Sequence, residues 1–209
     1  MAALLYKNLI VNRKLFLAVP PLILFSLWIT KSATPGDPTF ILLVAAALCY
    51  GVPIVGLDSD IRTGTLAYYR ALPIRTKDYA GSHYLLGFIA AALGGGVLYL
   101  SQRYIGQVSP LLAIYDGLLV MLLPLLLIAI TFPVYYRFTL GSLRRFTMIY
   151  SFLNSSIMIF GRLLFSQMRE WIAIQKMAPR GFVLFAYLVP VLFLLSFALS
   201  VRILGQNTE

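Results

Sequence analysis

Few side chains in this sequence have types and spacings that do chemistry, and the first to test are Ser82 and His83. A serine becomes a nucleophile when a nearby base takes its proton, which needs the two side chains within hydrogen-bond reach. Adjacent positions on a helix point apart, so Ser82 and His83 form no nucleophile and base pair. Cys49 is the one cysteine and lies inside an apolar run, where it reads as a small buried hydrophobe. We find no paired carboxylates, no clustered metal ligands and no G-x-x-x-x-G-K-[ST] phosphate loop; Gly94, Gly95 and Gly96 lie within an apolar run and no lysine follows them. Catalysis, metal binding and ATP hydrolysis are therefore not expected of this polypeptide. The remaining polar candidates lie inside apolar runs. Asp116 would be costly there unpaired, and Arg103 or Arg162 would be a remedy. Asn154, Ser155 and Ser156 either line a polar path or bond to neighbouring helices.

The elements that position these groups follow from composition. The 209 residues are 60% hydrophobic and only 11% charged, with a mean hydropathy of +0.87, whereas soluble domains carry about a quarter charged residues. The formal net charge of +10 comes from basic residues scattered singly between apolar runs, which excludes the stripe or cluster that nucleic acid requires. A membrane span takes roughly 20 apolar residues. Six runs approach that length: Leu15 to Thr30, Phe40 to Leu57, His83 to Leu100, Leu111 to Val134, Phe146 to Phe165 and Gly181 to Leu204. The expected fold is an all-α membrane protein, a bundle of six transmembrane helices forming one domain over residues 1–209, with an interfacial helix at about 2–14. The first run has a poor cleavage region around Pro20, Pro21, Trp28 and Lys31, so it reads as a retained helix rather than a signal peptide. Putting the N-terminus inside places Lys7, Arg13, Lys14, Arg62, Arg70, Arg75, Lys77, Arg137, Arg144, Arg145 and Arg202 in the cytoplasm and leaves Lys31, Arg103, Arg162, Arg169, Lys176 and Arg180 outside, a bias that favours both termini in the cytoplasm.

That orientation makes residues 58–80 the longest cytoplasmic loop. Thr63 or Thr65 can cap a short helix running to about Leu72, where Pro73 removes a donor. On it Leu66, Tyr69 and Leu72 share one face, while Tyr68 and Arg70 point elsewhere. Thr76 can cap the next helix, with Asp78 in its first turn at the positive end of the dipole. Physics alone leaves two readings of this short helix: tyrosines resting among lipid headgroups, or a docking element.

The run Asp58 to Leu85, DSDIRTGTLAYYRALPIRTKDYAGSHYL, resembles the corresponding loop of bacterial type-2 ABC transporter permeases. In that family an acidic residue and a helix lead to a small-Leu-Pro-Ile-Ser/Thr-Arg pattern and then a tyrosine-containing segment. Here Ala71, Leu72, Pro73, Ile74, Arg75 and Thr76 supply the pattern, with Arg75 and Thr76 in reversed order. The opening Leu4-Leu5-Tyr6-Lys7-Asn8-Leu9 also resembles the family's start. The resemblance implies a multi-pass subunit of an ABC exporter in the bacterial cell membrane. Its loop would be a coupling helix, with Leu66, Tyr68, Tyr69, Arg70, Leu72, Pro73 and Arg75 meeting ABC ATPase subunits that hold ATP and Mg²⁺. A second copy or a related permease would complete a path for a peptide, toxin, antibiotic or lipid, and Asn154, Ser155 and Asp116 are the candidates to line it.

Residues 166–180 place Met168, Trp171, Ile172 and Ile174 among charged neighbours, the pattern of a short amphipathic helix at the outer surface. The family has re-entrant helices between its fifth and sixth spans, which this segment resembles; an interfacial connection anchored by Trp171 is the alternative. Gly87, Ala91 and Gly95 recur every fourth residue and permit close helix approach, with packing inside the subunit the simpler use. Two other classes compete with the exporter, a secondary transporter and a non-transporting membrane partner or sensor. The first would show internal repeats and several buried ionisable groups, and neither is evident.

Overall fold

The computed structural model describes residues 2–33, 39–62, 75–137, 167 and 180–206. Among these, every extended element is an α-helix: α1 Ala2–Val11, α2 Arg13–Ala33, α3 Thr39–Arg62, α4 Thr76–Tyr104, α5 Pro110–Arg137 and α6 Arg180–Gln206. Four of them, α3 to α6, are long and apolar enough to cross a membrane, and the bent pair α1 and α2 makes a fifth if taken as one span. The expected fifth span at Phe146 to Phe165, the coupling helix ending near Leu72 and most of the 166–180 segment lie outside the described residues.

Local chemistry explains the bend between α1 and α2, whose axes meet at 57°. Asn12 directs its backbone N–H and its side-chain Nδ2 to the same carbonyl, Asn8 O, at 3.1 and 2.9 Å. An amide side chain that competes for the helix ladder in this way bends the chain. Gly56 of α3 leaves room for the elbow, because a Cβ there would stand 2.7 Å from Asn12 Nδ2.

Prolines 20, 21, 53, 124, 133 and 190 all lie inside helices. Such prolines are tolerated in lipid, where neighbouring helices and local adjustments satisfy the freed carbonyls. Between α4 and α5 the chain turns through Ile105 to Ser109, with Gly106 N–H and Val108 N–H returning to Ser101 O and Gln102 O. Gln107 adopts φ 52°, a left-handed conformation that costs a side-chain-bearing residue about 1 kcal/mol.

The tightest contact is between α4 and α5. A Cβ on Gly95 would lie 2.6 Å from Gly117 O, and one on Gly117 would lie 2.9 Å from Gly95 O, so the two backbones touch where neither helix has a side chain. Gly87 faces Ile128 of α5, and Ala91 is buried among Tyr115, Leu119, Leu122 and Leu125. The every-fourth-residue pattern thus serves packing within the chain. Gly94, one position round, faces α3 and receives Cys49 Sγ, which explains why that thiol is fully buried.

Ring contacts set the helix directions. Tyr136 near the end of α5 lies 6.3 Å from Tyr79 near the start of α4, and Leu204 near the end of α6 joins the same cluster. At the opposite end Phe182 of α6 stacks edge-on to Tyr115 of α5, 4.8 Å away. Helices α5 and α6 therefore run in the same direction, and the chain leaves α5 at one end of the bundle and enters α6 at the other.

Candidate functional site

The two helices flanking the 63–74 loop converge on a buried polar node. Asp60 lies two residues before the end of α3, and its side chain is 5% exposed. Tyr79 and His83 lie one turn apart near the start of α4 and so present to the same side. His83 Nε2 stands 3.3 Å from Asp60 Oδ2 without the alignment of a hydrogen bond, and Tyr79 Oη donates to the same oxygen at 3.4 Å. Lys7 of α1 forms a salt bridge to Asp60 Oδ1. The node therefore gathers groups from three helices around one carboxylate.

Aromatic rings close it from the remaining side. Tyr79 and His83 meet edge to face at 5.0 Å, and Phe132 of α5 stands edge-on to His83 at 6.5 Å. A second link from α1 runs beside the first: Asn8 Nδ2 donates to Ser82 Oγ at 3.1 Å, and Ser82 Oγ donates to Tyr79 O at 2.8 Å. Ser82 is thus committed to helix packing and not to His83.

Helix α1 is amphipathic in an inverted sense. Asn8 is buried at 3% exposure, and Asn12 at the elbow that follows is buried too, whereas Tyr6, Ile10 and Val11 are among the exposed large side chains. A helix that hides polar groups and shows apolar ones suits a lipid interface, where the protein supplies hydrogen bonds and the bilayer supplies apolar contact.

Further into the bundle a directed hydrogen-bond chain joins three helices. Ser196 Oγ of α6 donates to Ala129 O of α5 at 2.6 Å, which leaves Ser196 Oγ to accept from Tyr84 Oη of α4, also at 2.6 Å. Ser200 Oγ then donates to Tyr84 Oη at 2.8 Å. Phe132, Phe193 and Phe197 surround the Tyr84 ring, with centroids 4.9 to 5.4 Å away.

The expected site residues divide accordingly. Arg75 stands immediately before α4 as its N-cap, exposed and in extended conformation. The expected cap, Thr76, is instead the first helical residue; no side chain caps this helix, and Arg75 O receives the N–H groups of Asp78 and Tyr79. Arg75 is still extended, with φ −67° and ψ 134°, so the helix begins at Thr76 and Arg75 takes the cap position. Asp78 does occupy the first turn. Asp116 is buried on α5 at 1% exposure. Leu66, Tyr68, Tyr69, Arg70, Leu72, Pro73, Asn154 and Ser155 lie outside the described residues.

Sequence reasoning missed both polar networks. Tyr79 with His83, and Ser196 with Ser200, are i, i+4 pairs of polar groups on apolar helices, which is a usable signal. Nothing local couples Lys7 to Asp60 across 53 residues.

The helices, their apolar lengths and the lipid-suited faces define a multi-pass α-helical membrane protein. A family model described as ABC-2 family transporter protein matches residues 3–204. The chain belongs to that family and is a permease subunit of an ABC transporter, a class that works with an ATP-binding cassette ATPase. Neither a curated protein nor a solved structure matches it.

Proposed function

We propose that this chain is the permease of an exporter that moves an amphipathic substrate (a peptide, toxin, antibiotic or lipid) across a bacterial cell membrane. The observation that carries this reading is the family match itself, which runs through both helices rooted at Asp60 and His83 and through the 63–74 loop between them. The loop acts as the coupling helix. Leu66, Tyr69 and Leu72 enter an apolar groove of the ATPase, Arg70 and Arg75 steer the contact, and Tyr68 and Pro73 set its angle. ATP and Mg²⁺ belong to the ATPase, and the permease contributes no ATP chemistry.

The Asp60 end of the bundle faces the cytoplasm and both termini lie inside. A span within residues 138–179 is supported by the positions of Arg137 and Arg180, which end α5 and begin α6 at opposite ends of the bundle. A second permease, identical or related, completes the path, to which Asn154, Ser155 and Asp116 contribute polar groups.

The test is a Tyr69→Ala, Leu72→Ala double variant expressed beside the wild type. Truncating a buried anchor costs about 2 kcal/mol or more, which weakens association over tenfold. The variant should reach the membrane at normal levels and lose the ATPase that co-purifies with the wild type. Normal ATPase association would remove the loop from the coupling role, and the pure permease should show no ATP turnover in the same assay.

A further inference from the structure

Lys7 differs from the other basic residues at the start of the chain. Arg13 and Lys14 are exposed, as scattered positive-inside charges should be. Lys7 instead turns inward, its side chain 32% exposed, and spends its charge on a carboxylate that is only 5% exposed. A lysine beside a membrane surface has an easier course, which is to extend its ammonium into the headgroups and water. The inward course answers the cost of leaving Asp60 unpaired, since a carboxylate withdrawn from solvent is expensive without a partner and attracts an opposite charge with little screening.

The position of the acceptor gives the contact its meaning. Asp60 closes α3 two residues before Arg62, and His83 and Tyr79 open α4 after Arg75, so one carboxylate is held by residues on both sides of the 63–74 loop. Lys7 adds α1 as a third member, and Asn8 fastens the same helix to Ser82 of α4. The groups facing the carboxylate from the packed elements are Lys7 from α1, Tyr79 and His83 from α4, with Tyr136 from α5 packed against Tyr79. Any rotation of the loop's base relative to α1 must separate Lys7 from Asp60 and expose or strand a buried charge.

We propose that Lys7, Asp60 and His83 form a latch that makes α1 and the two legs of the 63–74 loop one rigid unit, with Lys7 the positioning residue that joins α1 to it. Movement imposed on the loop would then carry the interfacial helix with it and reach α2 through the Asn12 elbow. This deepens the coupling reading given above and rests on it for its consequence in transport, whereas the rigid unit itself can be tested without an ATPase.

The experiment is amide hydrogen exchange on the full-length permease in lipid nanodiscs, comparing wild type, Lys7→Met and Lys7→Arg. Lys7→Met keeps an unbranched stem one atom shorter and removes the charge. Exchange should rise at least tenfold in peptides spanning residues 57–62 and 75–80, with no change at the distant Ile105 to Ser109 turn, and Lys7→Arg should return it to near the wild-type rate. Exchange unchanged within twofold at both legs overturns the latch. Equal acceleration at the distant turn overturns it too, because Lys7 would then be supporting the whole fold. A second arm measures ATP turnover in the complex that co-purifies from the native membrane. Lys7→Met should retain the ATPase but uncouple its turnover from the permease, and Lys7→Arg should restore the response; turnover like the wild type would deny Lys7 a positioning role. Loss of coupling reading alone, through the Tyr69 and Leu72 variant, leaves the exchange result intact, so the two failures are distinguishable.

Discussion

At the scale of single residues, glycine in this chain matters by what stands opposite it. Gly95 and Gly96 are neighbours on α4, yet a Cβ on Gly95 would meet the Gly117 carbonyl at 2.6 Å and a Cβ on Gly96 would meet nothing within 4 Å. A carbonyl in a continuous helix cannot move aside as a flexible side chain can, so Gly95→Ala forces α4 and α5 apart. Overpacking of this kind costs about 1 to 3 kcal/mol. Gly95→Ala should therefore lower the thermal unfolding midpoint of the detergent-solubilised protein by several degrees, and Gly96→Ala should leave it within error. Equal effects of the two would show that helix propensity, not the close approach, governs these positions. The same stretch lines a shallow apolar groove of about 260 Å³ between α4 and α5, bounded by Tyr99, Leu118 and Met121. Of its small residues, Gly95 and Gly117 are explained by the backbone contact.

At the scale of elements, the helices are joined by a few polar links set in an apolar surround. Hydrophobic burial distinguishes little between one helix packing and another in lipid, because the tails are as apolar as the side chains, so hydrogen bonds and shape complementarity carry the specificity. The chain from Ser200 through Tyr84 and Ser196 to Ala129 O fixes α6 against α4 and α5 at one register. Tyr84→Phe keeps the ring among Phe132, Phe193 and Phe197 and removes only the hydroxyl, at a cost of about 1 to 2 kcal/mol. Tyr84→Ala also empties the aromatic cluster and should cost about 3 to 5 kcal/mol. Thermal unfolding followed by fluorescence should rank wild type above Tyr84→Phe and Tyr84→Phe well above Tyr84→Ala. Should Tyr84→Phe prove as damaging as Tyr84→Ala, the hydroxyl would matter more than the ring.

At the scale of the whole molecule, topology follows from two ends of unlike character. The end with Lys7, Asp60, His83 and Tyr136 gathers α1, the close of α3, the opening of α4 and the close of α5. The other end carries the Ile105 to Ser109 turn and the stacked Tyr115 and Phe182. If the first faces the cytoplasm, a cysteine placed at Thr63 in a Cys49→Ala background stays shielded from an impermeant thiol reagent in intact cells, and one placed at Gln175 reacts. Replacing Cys49 should be benign for the background, since its buried thiol only fills space in the apolar core beside Gly94 and alanine is also apolar. Labelling at Thr63 with protection at Gln175 would invert the molecule and with it the side from which an ATPase acts.

Membrane residence, the helical class and the limits of most described spans were legible in the sequence because they depend on local sums. An apolar run of sufficient length must hydrogen-bond its own backbone once it leaves water, and a helix is the solution available within one segment. The loop could be picked out by its charge and turn residues, and the start of α4 was placed to within one residue because Pro73 and Asp78 act locally. The partners of Asp60 could not be read in the same way. Lys7 and His83 reach it from 53 positions before and 23 after, and no periodicity within a helix says which distant face will receive a carboxylate. Gly95 alone announces that some helix comes close; that it meets Gly117, while Gly94 meets Cys49, depends on how α4 is rotated between its neighbours. Rotation of that kind is settled by three-dimensional packing, where each helix must satisfy several faces at once, and only the tertiary structure decides it.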